Sequence, residues 1–376
     1  MYTSAARYFD NAATSFPKPP QVAEAITAYL DKGGGPYGRS AYPRAFSASR
    51  TIERLRDRMA AVIGTGAAEN IVFTSCATMA LNTVIRGLTW KHKKVLHSAL
   101  EHNAVMRPLF MMQQTQGIEL EPMPAHCDGS IDLEKLAKQD LSGFDLAVVN
   151  HQGNVNGVIQ PLEKLRALLG DVPILVDASQ SLGNTAIEAD AWGLDFVAFT
   201  GHKSLLGPTG TGGLFMRNPS LIQPLIYGGT GSASDSYEMP VSMPDRFEAG
   251  TPNLAGLHGL LAAVENQPES NYQPADLTAL LAGLRKLKGI SVLAASEPER
   301  QGPVISVTCS HLEPGAFGDK LYQQFGIETR IGLHCAPLAH RQLGTFPAGT
   351  VRFAFSPYHK RENFEYLLEA VRKVTA

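Results

Sequence analysis

The chain has 376 residues, 44% of them hydrophobic, long enough for one large domain beside a smaller one with proper cores. Its 33 Lys+Arg balance 35 Asp+Glu, for a formal net charge of −2, which excludes a general electrostatic field for nucleic acid or anionic lipid. No apolar stretch reaches the roughly 18 residues that a membrane-spanning helix needs.

The first residues, "MYTSAARYFDNAAT", lack the apolar core of a secretory signal. The four cysteines, Cys76, Cys127, Cys309 and Cys335, are far apart with no CxxC pair. That usage predicts reduced thiols in a cytoplasmic protein and no metal site or disulfide frame. Segment 33–50, "GGGPYGRSAYPRAFSASR", holds no histidine and reads as a flexible loop; no strand precedes it, so it carries no phosphate-binding motif. Apolar runs of strand length then alternate with helical patterns. "NIVFTS" (70–75) leads to the helical "MALNTVIRGL", and "KKVLHS" (93–98) to "NAVMRPLFMMQQTQ". "FDLAVVN" (144–150), "VPILVDAS" (172–179), "LDFVAFTG" (194–201) and "GTGGLFMR" (210–217) follow. These runs are apolar throughout, as strands buried on both faces are. They predict an α/β fold with a mostly parallel sheet, its ligand beyond the carboxyl ends of the strands.

Residues 218–253 are irregular and too long for an ordinary connection, which marks a functional or interface element. A second, smaller α/β section follows, with strands expected near "PVISVTC" (303–309) and "TVRFAF" (350–355). The closing "RENFEYLLEAVRKV" has the spacing of an amphipathic helix.

Chemistry-bearing residues sit where the strands end. "CATMALN" enters a helix after the first strand, a junction that is a natural anion site or a plain turn. "ALEHNAV" carries His102, which alone would be a hydrogen-bonded packing residue. Asp177 ends "VPILVD", either as a cap or facing a cation, since an unpaired carboxylate there would be costly. "TGHKSLLGPTGTGGLF" (200–215) sets one cation, Lys203, in a tract of small residues, where it is either a turn lysine or an amine held against a ligand. A lysine for a Schiff base, an acid for a pyridinium nitrogen and an anion cradle together suit pyridoxal 5'-phosphate.

"YFDNAAT", "EHNAV", "NVNG", "VDASQS", "TGHKSLLGPTGTGGL", "FEAGTPN" and "RIGLHCAP" together resemble the class V aminotransferase family. Within it the chain is similar to the cysteine desulfurase and selenocysteine lyase branch, of the SufS-like type. The resemblance implies fold type I of the pyridoxal-phosphate-dependent transferases. It also implies an N-terminal segment, 1–20, packed on the small domain, a large cofactor-binding domain, 21–250, and a small C-terminal domain, 251–376. It makes Lys203 the Schiff-base lysine, His202, Thr200, Ala77 and Thr78 the phosphate ligands, and Asp177 the partner of the pyridinium. Gln180 and Asn154 fall at the ring hydroxyl or the substrate, and His102 stacks over the ring. Thr251 reaches the phosphate of a neighbouring subunit, so a homodimer is implied. Ala13, Asn154, Arg330 and Arg352 are placed on the substrate.

The implied reaction is conversion of L-cysteine to L-alanine, leaving a persulfide on Cys335, with selenocysteine as a further substrate and a sulfur-acceptor protein as partner. Lys203 takes the substrate Cα proton, Cys335 attacks sulfur, and His102 donates or accepts a proton. By itself Cys335 is a small hydrophobe as readily as a nucleophile; His334 beside it could raise its thiolate fraction. Arg352, an arginine fork suited to a carboxylate, could equally face solvent. An aminotransferase or cysteine β-lyase in which Cys335 is incidental is the alternative, and a non-catalytic scaffold for sulfur carriers the more distant one. Some positions depart from the pattern: Cys76 and Ala77 stand where Gly and Thr are usual, and Asn103 and Val105 where His and Asn are.

Overall fold

A computed structural model describes residues 5–38 and 40–376. Residues 1–4 of the N-terminal segment and Arg39 of the expected loop lie outside the described residues. Helix α1 (Pro20–Ala28) and helix α2 (Pro43–Ile63) come first, so the second part of segment 33–50 is helical. Strands β1 (Ile71–Thr74), β2 (Lys94–His97), β3 (Glu119–Pro122), β4 (Leu146–Asn150), β5 (Ile174–Asp177), β6 (Phe196–Thr200) and β7 (Gly212–Met216) form one sheet in the order β1-β7-β6-β5-β4-β2-β3. Every pair from β6 to β3 is parallel. Strand β7 runs antiparallel to both β1 and β6.

The expected α/β architecture with a mostly parallel sheet is thus the one found. Its strands β4 to β7 are buried along their whole length and largely apolar because both faces are covered. Ile52, Leu55 and Met59 of α2 pack on one face. Helices α3 (Ala77–Gly87) and α4 (Asn103–Gln116) cover the other, with Leu81, Val84 and Leu109 buried against Val95, Val148 and Leu214. Strand β7 owes its glycines to packing: a Cβ on Gly213 would lie 2.3 Å from the Phe199 ring, and one on Gly212 2.7 Å from the Phe199 carbonyl oxygen.

A second sheet holds β8 (Ile290–Leu293), β9 (Val304–Cys309), β10 (Arg330–Gly332) and β11 (Thr350–Ala354), in the order β10-β11-β9-β8 and antiparallel throughout. The closing helix, Arg361–Val374, lays Phe364, Leu367 and Val371 into the core of this sheet. The N-terminal segment joins it too: the Phe9 N–H donates to Glu328 O at 2.8 Å, the Ala354 N–H to Phe9 O at 2.7 Å, and the Phe9 ring is buried against Phe353 and Phe355. The helix Leu254–Glu265, by contrast, buries Leu257 and Leu260 in the core of the first sheet.

Between β7 and that helix the backbone is irregular apart from one 3-10 turn. It is tied down by Glu248, which accepts the Phe73 N–H at 2.7 Å and pairs at 3.0 Å with the buried guanidinium of Arg56. Among the described residues no helix is long and apolar enough to cross a membrane, and no group of metal-ligating residues forms a candidate metal site.

Candidate active site

Parallel strands deliver their carboxyl ends to one edge of a sheet, and here that edge gathers residues separated by more than a hundred positions. One cavity is lined by Ala77, Thr78, His102, Asn154, Asp177, Gln180, Thr200, His202 and Lys203. Each arrives from the turn after its own strand: Ala77 and Thr78 after β1, His102 after β2, Asn154 after β4, Asp177 and Gln180 at β5, Thr200 to Lys203 at β6.

Lys203 is the electrostatic centre. Burial pulls its ammonium down from 10.5 to about 8; Asp177 opposes the shift, and Arg352 and Arg330 add to it. Asp177 is 4% exposed, and one carboxylate oxygen accepts the N–H of Ser179 at 3.0 Å and its hydroxyl at 2.5 Å. That leaves the other oxygen for a cation in the cavity. His102 caps α4, its Nδ1 accepting the Ala104 N–H at 3.0 Å. Burial, then Lys203, lowers its pKa to about 4, so the ring is neutral with its proton on Nε2. His202 is likewise neutral, lowered by burial to about 4, and its buried Nδ1 has no partner among the described residues. Thr200 donates its hydroxyl to Thr211 O at 3.3 Å, and Gln180 its amide to Ala12 O at 2.9 Å.

The second sheet meets the cavity through Asn154. Arg352 is 2% exposed; it donates to Asp10 at 2.7 Å and to the Asn154 carbonyl at 3.1 Å, while its Nε has no partner among the described residues. Arg330 lies opposite it in the β10–β11 register, but at the surface. Asn154 donates its amide to the His334 carbonyl at 2.8 Å, which pins the loop bearing Cys335. That loop is also held by the Asn103 N–H, donated to Cys335 O at 2.8 Å. His334 and Cys335 both have positive φ, 49° and 56°, the left-handed region that most side chains avoid. The Cys335 side chain is exposed. His334 is turned away, buried with Nε2 at 2.9 Å from the Thr350 hydroxyl. Burial and the charge of Arg352 hold it far below its ordinary pKa. The imidazole beside Cys335 is therefore neutral and supplies no charge to raise its thiolate fraction.

The fold thus brings Ala77, Thr78, His102, Asn154, Asp177, Gln180, Thr200 and His202 together around Lys203, while Arg330, Arg352 and Cys335 lie outside the cavity lining, as do two further residues. Ala13 lies beside the cavity through the Ala12–Gln180 contact, outside its lining. Thr251 does not reach Lys203 in its own chain: it lines a separate cleft of about 320 Å³ with Phe73, Ser75 and Phe247. Three participants carried no sequence signal of their own. Asp10, inside "YFDNAAT", holds Arg352; Glu101, inside "EHNAV", is fully buried beside Asp177; Gln152 lies behind Lys203.

The cavity fits pyridoxal phosphate on its own terms. It offers an amine of lowered pKa, a carboxylate with a free oxygen, an unpartnered His202 Nδ1, an unpartnered Asn154 Oδ1, and the first N–H groups of α3, which no helix can satisfy internally.

Comparisons with known proteins show what the whole chain is similar to. The model of the family described as Aminotransferase class-V matches residues 7–367. A protein of Methanothermobacter thermautotrophicus named "Probable cysteine desulfurase" is 29% identical, over 98% of this chain and 94% of its own. One of Mycobacterium leprae, "Probable cysteine desulfurase 2", is 30% identical over 97% and 90%. Among solved structures, an apo cysteine desulfurase of Thermococcus onnurineus is similar with a TM-score of 0.89 at 30% identity, over 98% of this chain and 94% of that one.

Proposed function

The chain belongs to the class-V aminotransferase family, and from that premise we propose that it is a pyridoxal-phosphate-dependent cysteine desulfurase. It converts L-cysteine to L-alanine and leaves the sulfur as a persulfide on Cys335. The observation that carries this reading is that Lys203 and Asp177 share one cavity with Asn154, to which Arg352 and the loop bearing the exposed Cys335 are both hydrogen-bonded. An aminotransferase has no use for a thiol held there.

Lys203 would hold the cofactor, Asp177 its ring nitrogen, and Ala77, Thr78, Thr200 and His202 its phosphate; Gln180 and Asn154 would meet its ring hydroxyl, and His102 its face. When bound, pyridoxal phosphate supplies a sink for the electrons released at the substrate Cα.

The chain's own residues do the rest. Arg352, with Nε free, binds the substrate carboxylate, assisted by Arg330 beside it; Asn154 and Ala13 border the same place. Lys203, whose pKa of about 8 leaves a usable amine fraction near neutrality, takes the Cα proton. The Cys335 thiolate attacks the substrate sulfur. An S–S bond forms, the C–S bond breaks with its electron pair staying on carbon, and that carbon takes up a proton. His102, with a proton on Nε2, is the donor placed for it. L-cysteine and the Cys335 thiol thus become L-alanine and the Cys335 persulfide, with atoms and electrons in balance.

Three further assignments follow the same reading. The protein is a homodimer in which Thr251 completes the partner's phosphate site. The exposed Cys335 hands its sulfur to an acceptor protein, in a cytoplasmic setting where thiols stay reduced. Selenocysteine reacts by the same route with less need of Cys335, because selenium leaves more readily.

The test is turnover of L-cysteine with a reductant, reading sulfide and alanine together. Equal amounts of both are expected. Cys335→Ala should lose the reaction by more than about 100-fold, as removal of a nucleophile does, while keeping the bound aldehyde's yellow absorbance and much of its selenocysteine activity. Pyruvate and ammonia in place of alanine, or undiminished sulfide from Cys335→Ala, would assign the chain to β-elimination.

A further inference from the structure

Gln152 follows β4 and is 1% exposed, yet neither its amide nitrogen nor its amide oxygen has a partner among the described residues. An unpaired buried amide is costly. The backbone at Gly302 presses against this amide, so closely that a Cβ there would lie 2.6–3.0 Å from its atoms, which fixes where the amide points. It lines a small, partly open space together with Asn11, Gln180, Asn184, Lys203 and Ser204. The neighbouring polar groups are already engaged. Gln180 donates to Ala12 O; the Ser204 hydroxyl donates to Gln180 O and accepts from Asn184; Asn11 donates to Tyr8 O and Ala354 O and accepts the Phe16 N–H. Gln152 alone has both ends of its side chain to offer.

The space measures about 20 Å³. A water needs about 10–15 Å³ and two to four polar partners, so this one admits a single water. Lys203 lines this space as well as the cofactor cavity and so stands between them. On its far side the space shares Asn184, Pro303, Phe355 and Pro357 with an open cleft of about 700 Å³ between the helix Pro274–Arg285 and the body of the protein. Asn184 is exposed.

We infer that Gln152 holds a water behind Lys203, through which the Lys203 amine exchanges its proton with solvent in the cleft, away from the substrate. The inference rests on Lys203 being the proton carrier proposed above. The proton that Lys203 takes from the substrate passes to the water, and a proton of that water passes outward past Asn184; the amine is restored, solvent gains one proton, and no electrons move. Exchange is then independent of whether substrate closes the front of the cavity. Gln152 is a positioning residue, acting through the water.

Two measurements test it. First, the loaded enzyme is kept with L-alanine in D2O, and loss of the Cα hydrogen is followed by proton NMR. Gln152→Met, close in volume but without the amide, should slow the exchange about tenfold or more while the absorbance of the bound aldehyde is unchanged. Second, an atomic-resolution crystal structure of the wild type should show a water within hydrogen-bonding distance of the Gln152 amide. Exchange by Gln152→Met at the wild-type rate, or a dry cavity, overturns the inference. If Gln152→Met does not fold, the crystallographic result alone decides. Absence of aldehyde binding by the wild type would instead overturn the proposed function, an outcome separate from either.

Discussion

At the scale of single residues, burial decides the charge states around the cavity, and the signs are testable. Lys203 titrates near 8 instead of 10.5, with burial lowering it and Asp177 holding it up. The rate at which the apoprotein takes up pyridoxal phosphate should therefore rise with pH and level off above about 8, because only the free amine reacts. Asp177→Asn removes the charge that opposes the shift, so its inflection should move to lower pH; a stopped-flow pH series of both proteins reads this directly. Glu101 is the reverse case. It is fully buried, receives the Ser98 hydroxyl at 2.6 Å and the Asn150 N–H at 2.7 Å on one oxygen, and burial raises its pKa to about 8. The unfolded chain loses this proton near 4.5 and the folded one near 8, so its contribution to stability falls as pH rises across that window. Glu101→Gln imitates the neutral acid. It should match the wild type at pH 5 and exceed it at pH 8 by on the order of a few kcal/mol, measured by urea denaturation. Equal loss of stability with pH in both proteins would place the titration elsewhere. None of this was visible in "EHNAV": a glutamate beside a histidine reads as solvated until a sheet is packed over it.

At the scale of elements, His102 has two tasks that can be separated. As the residue before α4 it accepts the Ala104 N–H, which an asparagine does well and an alanine cannot. As a ring it faces the cavity. His102→Asn should keep the stability of the wild type, and His102→Ala should lose about 1 kcal/mol; both should lose the desulfurase reaction. If the two variants are equally destabilised, the cap is not the source. The apolar runs foretold β1, β2, β4, β5, β6, β7, β9 and β11 because strands buried on both faces leave an unbroken signal. The edge strand β3, "ELEP", is half charged and mostly exposed, and β10 has only three residues, so neither had one. Strand direction was equally illegible: β7 lies antiparallel between β1 and β6 although its composition matches theirs. Among the glycines of "GTGGLF", only Gly210 has the left-handed φ, 75°. Gly212 and Gly213 are strand residues that admit the neighbouring chain.

At the scale of the molecule, the segment 218–253 presents Ile226, Tyr227, Tyr237 and Val241 at the surface, next to the cleft that holds Thr251; grouped exposed apolar side chains mark an interaction surface. Sedimentation equilibrium should return a dimer mass. Ile226→Asp with Tyr227→Asp should return a monomer that retains pyridoxal phosphate poorly, since each site would lack the partner's Thr251; a monomeric wild type would dismiss the shared site. By itself the sequence determined the layered α/β class and singled out Lys203, Asp177, His102 and Arg352 as candidates, because strand hydrophobicity and strand-end chemistry are local patterns that a chain carries in order. Which partner each of these residues keeps was decided only in three dimensions. Asp10 on Arg352, Asn154 on the Cys335 loop, His334 turned from the thiol it adjoins, and Gln152 behind the lysine all depend on two sheets meeting across chain separations that no periodicity spans.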